Sequence, residues 1–250
     1  MTKNVGTVLG VIPARYNSSR FEGKPLAKIA GVPMILRTYN QVKQSSLLND
    51  AIVATDDPRI LEFCHTENIP CCMTSSGCLT GTDRVYEVSE QLDYDLYINI
   101  QGDEPVIDPK SIDQILTLFS VHGDNYAAYN LYKYITDETE INSDTIIKVI
   151  TNELDEVMYM SRLPVPFSKA GMVPNFKQQI PIYGYTKNAL KTFAARAKTI
   201  NEQFEDVELL RFIDMGLQIK MEETNVSSIA VDTPSDILKV ERFLTAQKLN

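Results

Sequence analysis

A basic loop near the start of the chain carries side chains suited to binding phosphate. It follows the nearly continuous apolar run Val5–Ile12 and reads PARYNSSRFEGKPL over residues 13–26. Arg15, Arg20 and Lys24 supply positive charge, with hydroxyl groups between them. Cations, hydroxyls and backbone amides together can cradle a triphosphate, so the loop predicts a nucleotide site. The alternative is a solvated basic loop. Both GxxxxGK[ST] and GxGxxG are absent here, which argues against a Walker A loop and against a dehydrogenase.

Two acidic motifs, far apart in the sequence, are suited to holding a divalent cation. Asp103 lies in NIQGDEP at 99–105, and Asp232 lies in VDTPSD at 231–236. Carboxylate oxygens are hard ligands of the kind that Mg²⁺ prefers, and nucleotidyl transfer uses such a metal. The alternatives are a glycine–proline turn at Asp103 and an ordinary helix start at Asp232. The sequence alone does not bring the two motifs together.

Small residues beside the third apolar run suggest where a base or ribose would lie. Met73 and Thr74 end this run, and Thr80-Gly81-Thr82 precedes a helical pattern. Small side chains permit close approach of a planar ring to the backbone. The alternative is that Thr82 simply caps the helix.

The elements that must position these residues alternate between strands and helices in the first half of the chain. Strands are predicted at 5–12, 51–55, 69–74 and 96–100, and helices at 32–44, from Asp57-Pro58, at 82–92 and from Pro109. This rhythm predicts an α/β fold with a mostly parallel sheet, whose strand carboxyl ends form the binding crevice.

The second half is less regular. Strands are predicted at 127–134, 146–151 and 180–186, and helices at 205–216 and from Thr233-Pro234 to about Gln247. We expect a single domain over 1–250, with a smaller mixed subdomain at about 125–205 that serves sugar binding and dimerisation.

The charge and hydropathy of the chain argue against several classes of binding partner and cellular location. The 250 residues carry a formal net charge of −9, which argues against nucleic acid or an anionic membrane as a partner. No apolar run reaches the roughly 20 residues of a membrane span, and no signal-like segment is evident, so we expect the cytoplasm. Cys64, Cys71, Cys72 and Cys78 lack zinc-site spacing and are interpreted as buried or incidental thiols.

Taken in order, the motifs resemble those of the 3-deoxy-manno-octulosonate (KDO) cytidylyltransferases, or CMP-KDO synthetases. The matching segments are IPARYNSSRFEGKPL at 12–26, VATDDPRI at 53–60, MTSSGCLTGTDR at 73–84, INIQGDEPVIDP at 98–109, IKVI at 147–150, YMSRLPVPF at 159–167, IYGY at 182–185 and VDTPSDI at 231–237. The resemblance implies a Rossmann-like, GT-A-like three-layer nucleotidyltransferase fold, and a homodimer that uses CTP and Mg²⁺. It also implies a 2-keto sugar acid as acceptor and a role in lipopolysaccharide or capsule synthesis.

The resemblance also implies roles for individual residues. Those expected to be catalytic are Arg15, Lys24, Asp103 and Asp232, of which the two aspartates are the metal ligands. The nucleotide is expected to contact Ala14, Arg15, Ser19, Lys24, Met73, Thr74, Gly81, Thr82 and Gln101. The sugar acid is expected to contact Gln101, Lys148, Arg162, Gln179, Tyr183 and Glu208.

Three departures from the family pattern fall on the acceptor side. Gln179 stands where the family usually has a histidine that could be cationic near a carboxylate, and Pro181 replaces a glycine that has a backbone donor. Leu209 replaces a glutamine of the family's Glu-Gln-Leu-Arg helix. The acceptor is therefore KDO, an amino-KDO or another ulosonic acid. The alternatives are a nucleotidyltransferase for a sugar 1-phosphate or another phosphorylated acceptor, and a non-catalytic nucleotide-binding regulator.

Overall fold

One mixed sheet with helices on both faces organises the protein. The structure, a computed structural model, describes residues 5–18, 20–172, 174–226 and 228–247. Its strands are β1 (Val8–Ala14), β2 (Lys28–Ile29), β3 (Val32–Pro33), β4 (Asp50–Thr55), β5 (Cys71–Met73), β6 (Leu96–Ile100), β7 (Ala128–Tyr134), β8 (Lys148–Thr151), β9 (Val157–Ser161), β10 (Lys177–Thr186) and β11 (Ile219–Glu223). Its helices are α1 (Met34–Val42), α2 (Pro58–Thr66), α3 (Gly81–Gln91), α4 (Pro109–His122), α5 (Glu138–Ile141), α6 (Lys187–Ala194), α7 (Ile200–Glu205), α8 (Leu210–Asp214) and α9 (Asp236–Gln247).

The central sheet is mostly parallel, as predicted. Its strands follow the order β11-β7-β10-β6-β1-β4-β5, and β8 and β9 extend it beside β10. The pairs β6–β1, β1–β4, β4–β5 and β7–β11 are parallel. Strand β10 runs antiparallel to its three partners, β6, β7 and β8. The carboxyl ends of β1 and β6 therefore share one edge of the sheet, where the basic loop and Asp103 follow them.

Side chains along each strand alternate between the two faces of the sheet, and helices pack on both faces. In β1, Val8 and Ile12 belong to a core cluster with helices α1, α2 and α4, while Leu9 and Val11 belong to a cluster with α3, α6 and α8. Successive strand residues point to opposite faces, so both faces of β1 are covered by helices. This confirms the three layers of helix, sheet and helix. No helix among the described residues is long and apolar enough to cross a bilayer.

A small third core cluster holds helix α9 against the rest of the fold. Val231 and Val240 pack with Ile29, Met34 and Val106, all of them buried. This cluster brings the segment just before Asp232 next to the segment just after Asp103.

Strand β10 contains an irregularity at Pro181. Its register with β7 shifts between Ile180 and Gly184. The buried side chain of Asn130, on β7, donates to the carbonyls of Ile180 at 2.7 Å and Ile182 at 2.5 Å. A proline fits here because a bulged strand does not need its backbone N–H for the ladder.

Several predicted boundaries differ from the observed ones. The single helix predicted at 205–216 is wrong, because Asp206 has a left-handed φ of 49° and separates α7 from α8. Strands β2, β3, β9 and β11 and helices α5, α6 and α7 were not predicted. Helix α3 is capped by Thr80 rather than Thr82, since the Thr80 hydroxyl accepts from the Asp83 backbone and the Asp83 side chain accepts in return.

Candidate active site

Asp103 and Asp232 lie side by side although 129 positions separate them in the chain. The backbone N–H of Val231 donates to the carbonyl of Asp103 at 2.9 Å. The ammonium of Lys24 lies 2.7 Å from Asp103 Oδ2 and 4.0 Å from Asp232 Oδ1. Arg20 Nη2 lies 2.9 Å from the same oxygen of Asp232. The structure thus brings both acidic motifs together with two cations of the basic loop.

The basic loop is held close to the end of β6 by two glycines. Gly23 has a φ of 67°, and its N–H donates to the carbonyl of Tyr16 at 2.8 Å, which closes the loop just before Lys24. Only glycine adopts such a φ without strain. Gly102 lies so near β1 that an added Cβ would be 2.6 Å from the carbonyl oxygen of Pro13. Close backbone approach therefore places Lys24 within reach of Asp103.

A cavity of about 460 Å³ opens against the basic loop, and we call it the loop cavity. Its lining includes Ala14, Arg15, Arg20, Lys24, Thr80, Gly81, Gln101, Asp103, Lys198, Asp206 and Glu208. It combines loop cations on one side with small residues at the start of α3 on the other. Such a space suits a charged chain joined to a planar ring.

A second cavity of about 630 Å³ lies against β10, and we call it the strand cavity. Its lining includes Arg20, Gln101, Asp103, Glu104, Asp144, Arg162, Pro181, Tyr183, Asp206, Glu208 and Asp232. It shares Arg20, Gln101, Asp103, Asp206 and Glu208 with the loop cavity. The two cavities therefore adjoin, and Asp103 lies on their common wall.

Glu208 binds the start of helix α3. Its carboxylate accepts from the N–H groups of Gly81 and Thr82, both at 3.0 Å, and from the Thr82 hydroxyl at 2.5 Å. A carboxylate is favoured at a helix N-terminus, where free N–H groups point outward. Burial raises the pKa of Glu208, and the hydrogen bonds from Thr82 and Gly81 oppose that rise. Glu208 thus couples α3 to the segment before α8 at the wall of both cavities.

Arg162 clamps two segments at the mouth of the strand cavity. Its Nε donates to the carbonyl of Glu205 at 2.5 Å, Nη1 to that of Asp144 at 2.8 Å, and Nη2 to that of Asp206 at 3.1 Å. The Glu205 carboxylate accepts from the Arg162 backbone N–H at 2.8 Å. Arg162 therefore holds the walls of the strand cavity in place while its own side chain lines that cavity.

Tyr183 lines the strand cavity, whereas Gln179 does not line it but forms a hydrogen bond with Tyr183. The Gln179 side chain is 3% exposed and does not line either cavity. Its Nε2 donates to the carbonyl of Ile180 at 2.8 Å and to the hydroxyl of Tyr183 at 2.9 Å. The Gln179 side chain therefore meets the cavity through Tyr183, while its backbone N–H donates to the carbonyl of the lining residue Ile147 at 3.0 Å.

Four other predicted contact residues lie outside the linings of the two cavities. Thr82 faces Glu208, and the hydroxyl of buried Thr74 donates to the carbonyl of Thr55 at 3.1 Å. Met73 lies partly exposed at the end of β5. Lys148 is fully buried and donates to the carbonyls of Ser143 and Ile146, each at 2.7 Å. Burial lowers the pKa of Lys148.

Ser19, a predicted nucleotide contact, lies outside the described residues.

Glu104 places a further carboxyl group behind the shared wall. It is 3% exposed, lines the strand cavity and accepts from the Ser228 hydroxyl. Burial raises the pKa of Glu104 to about 8, and the negative charge of Asp103 adds to this effect.

Sequence reasoning assigned no site role to several of the lining residues. The sequence predicts Arg20 only as a cation of the nucleotide-binding loop, and the structure adds its contact with Asp232. Asp144, Lys198 and Asp206 come from irregular segments in the second half of the chain. No local pattern marks these three, because only tertiary packing brings them to the cavities.

Comparison with known proteins agrees with this geometry. Residues 9–222 match the family model described as cytidylyltransferase. A 3-deoxy-manno-octulosonate cytidylyltransferase of Trichlorobacter lovleyi is 38% identical, covering 94% of this chain and 97% of the relative. An 8-amino-3,8-dideoxy-manno-octulosonate cytidylyltransferase of Shewanella baltica is also 38% identical, covering 94% and 97%.

Comparison with solved structures also finds similarity to this kind of cytidylyltransferase. The structure of a CMP:2-keto-3-deoxy-manno-octonic acid synthetase complexed with CTP superposes with a TM-score of 0.90 at 31% identity, covering 96% of this chain and 99% of that one. A 4-diphosphocytidyl-2C-methyl-D-erythritol synthase from Anaerococcus prevotii has a TM-score of 0.63 at 14% identity, covering 96% and 97%, and shares the fold alone. The adjoining cavities, the family match and the near full-length relatives show that the chain belongs to the 3-deoxy-manno-octulosonate cytidylyltransferase family.

Proposed function

We propose that the protein transfers CMP from CTP to the anomeric hydroxyl of KDO or a close relative and releases pyrophosphate. The observation that carries the proposal is the junction of the two cavities, where Lys24 lies between Asp103 and Asp232. In this proposal the loop cavity takes CTP and the strand cavity takes the sugar acid. The reacting atoms then meet at their shared wall.

The residues at the junction suit an in-line displacement. The acceptor hydroxyl loses its proton to solvent, and its oxygen forms a bond to the α-phosphorus. The bond from that phosphorus to the oxygen bridging the α- and β-phosphates breaks, and pyrophosphate leaves with that oxygen. Arg15, Arg20 and Lys24 supply fixed positive charge against the triphosphate and the departing pyrophosphate. Phosphoryl transfer depends mainly on positioning and on neutralisation of charge, and both are present without a histidine base.

Asp103 and Asp232 fit a Mg²⁺ site. The position of the Lys24 ammonium beside the two carboxylates supports a site for positive charge at this pair. Among the described residues, no group of three or more His, Cys, Asp or Glu side chains is arranged to hold a metal by itself. Mg²⁺ commonly uses one or two carboxylates together with substrate phosphates, so the pair suffices once CTP is present. Bound Mg²⁺ would neutralise phosphate charge and acidify the attacking hydroxyl.

The acceptor needs a direct test, because relatives with two different acceptors in their names are equally similar at 38% identity. Pyrophosphate release should be measured with Mg²⁺ and CTP against KDO, 8-amino-3,8-dideoxy-KDO, a sialic-type acid and a sugar 1-phosphate in parallel. We expect release with one of the two octulosonates and none with the sugar 1-phosphate. Turnover of the sugar 1-phosphate alone would overturn the proposal. CTP binding without turnover of any of these acceptors would favour the regulator.

The assembly and cellular role form part of the same proposal. Leu163, Phe167 and Met172, in the connection between β9 and β10, are 71%, 88% and 75% exposed. Three large apolar side chains exposed in one connection support an interaction surface, and we propose that a second copy of the chain covers it. Light scattering on the purified protein tests the dimer, and a monomer at all concentrations would contradict it. The CMP-activated sugar would be made in the cytoplasm for lipopolysaccharide or capsule.

A further inference from the structure

The basic loop is braced from outside the site by the junction between β4 and α2. The guanidinium carbon of Arg59 lies 3.3 Å from the centroid of the Tyr16 ring, a cation–π contact. At its hydroxyl end the same ring lies against Gly23, where an added Cβ would be 3.1 Å from the Tyr16 Cζ and hydroxyl oxygen. The ring therefore touches both Arg59 and the residue just before Lys24.

Arg59 is itself fixed by Asp57, the N-cap of α2. Its Nε and Nη2 donate to the two carboxylate oxygens at 2.9 and 2.7 Å, and its backbone N–H donates to Oδ1 at 2.9 Å. The backbone N–H of Asp57 donates to the Thr55 hydroxyl at 3.2 Å, at the end of β4. A two-pronged ion pair of this kind fixes the plane of the guanidinium. A planar group held in this way is a firm surface for an aromatic ring.

We propose that Tyr16, Arg59 and Asp57 are positioning residues that hold the basic loop in the shape that binds the triphosphate. None of the three is expected to touch CTP, because the loop cavity is lined by other residues of the loop. The Tyr16 ring packs against Gly23 and so limits the position of the neighbouring Lys24. The hydrogen bond from the Gly23 N–H to the Tyr16 carbonyl closes the loop between these two residues. The inference rests on the proposed function in taking CTP as the loop's ligand.

The test compares Tyr16→Leu, Tyr16→Phe, Arg59→Gln and the Tyr16→Leu/Arg59→Gln double variant. We expect Tyr16→Leu and Arg59→Gln each to raise the KM for CTP about five-fold, as loss of a cation–π contact predicts. The kcat and the KM for the acceptor should stay within about two-fold of the wild-type values. A general loss of folded structure would instead change all of these constants. Tyr16→Phe keeps the ring face and should remain near wild type. The double variant should be close to either single one, since the two residues act through one contact.

Arg242→Gln on α9 is the matched control, because it removes an exposed guanidinium that lines neither cavity. Calorimetric CTP binding separates the two proposals. If the wild type does not bind CTP, the proposed function fails. If the wild type binds CTP and Tyr16→Leu and Arg59→Gln bind it equally well, only the positioning role is overturned. Equal changes in both KM values and in kcat would also overturn it.

Discussion

Lys24 Nζ lies 2.7 Å from Asp103 Oδ2, which joins the loop after β1 to the loop after β6. The same ammonium approaches Asp232, just before α9, to 4.0 Å. One cation thereby gathers three segments of the chain at the junction of the two cavities. The chemistry proposed for this junction depends on the charge of the carboxylates more than on their shape.

Asp103→Asn should abolish most turnover while leaving the fold intact. The amide has nearly the same size but carries no negative charge, so we expect kcat to fall at least about 100-fold. The matched control is Asp93→Asn, because Asp93 has a side chain that is 88% exposed. Steady-state pyrophosphate release and thermal unfolding would be measured together. Wild-type activity in Asp103→Asn would remove this residue from the mechanism.

Gln179 should influence the acceptor through Tyr183. Replacing it by leucine removes the hydrogen bond to the Tyr183 hydroxyl, and we expect kcat/KM for the acceptor to fall about five-fold. The KM for CTP should not change. In a Tyr183→Phe background the same replacement should have little further effect, because the bonded hydroxyl is already gone. Independent, multiplying losses would show that Gln179 acts by another route.

Gln179→His tests whether residue 179 acts by positioning Tyr183 or by contacting the sugar directly. An imidazole can also donate to the Tyr183 hydroxyl, so a positioning role predicts acceptor use near that of the wild type. Direct contact with the carboxylate predicts improved kcat/KM for KDO. Acceptor kinetics at fixed saturating CTP distinguish the two results.

The ion pair between Arg211 and Glu202 should contribute strongly to stability. Both side chains are 1% exposed, and two hydrogen bonds of 2.7 Å join them. Arg211 also donates to Asp83 at 3.0 Å and so ties α8 to α3. Arg211→Met leaves a buried unpaired carboxylate and should lower the free energy of unfolding by about 3–5 kcal/mol in urea. Adding Glu202→Gln should restore part of the loss, and a loss below about 1 kcal/mol would contradict the assignment.

Asp113 should make stability depend on acidic pH. Burial alone would raise its pKa, but hydrogen bonds from Ser45, Ser46 and Leu47 outweigh burial and lower the pKa below the usual 3.8. A carboxyl group with a lowered folded pKa stabilises the protein above its unfolded pKa and loses that contribution as the pH falls through the folded value. Asp113→Asn should therefore destabilise the protein at pH 7.

The destabilisation should shrink as the pH falls below about 3.8 and through the lower folded pKa, because Asp113 is then protonated first in the unfolded chain and afterwards in the folded protein. Urea unfolding of both proteins at several pH values measures this. A stability difference that stays constant with pH would show that the charge of Asp113 is not involved.

The first half of the fold could be predicted because its periodic apolar runs and helix caps are local signals. Asp57 and Pro58 do begin α2, and the bounds of β6 match the prediction. The break at Asp206 could not be predicted, because a left-handed aspartate leaves no compositional mark. Motif resemblance located residues of both cavities, yet it could not show that Gln179 and Lys148 turn their polar groups toward protein partners. Those orientations depend on carbonyl and hydroxyl groups supplied by other segments.

The position of strand β10 affects how the two cavities can change independently in evolution. Its pairing of Ile182 with Ile100 sets Pro181 beside the end of β6, while the bulge at Pro181 is supported by Asn130 rather than by the ladder. One strand of 10 residues therefore carries Gln179, Pro181 and Tyr183, and none of its residues lines the loop cavity. Substitutions in that strand can change the lining of the strand cavity while the lining of the loop cavity stays the same. With the acceptor in the strand cavity, as proposed, a change of acceptor needs substitutions at only a few neighbouring codons.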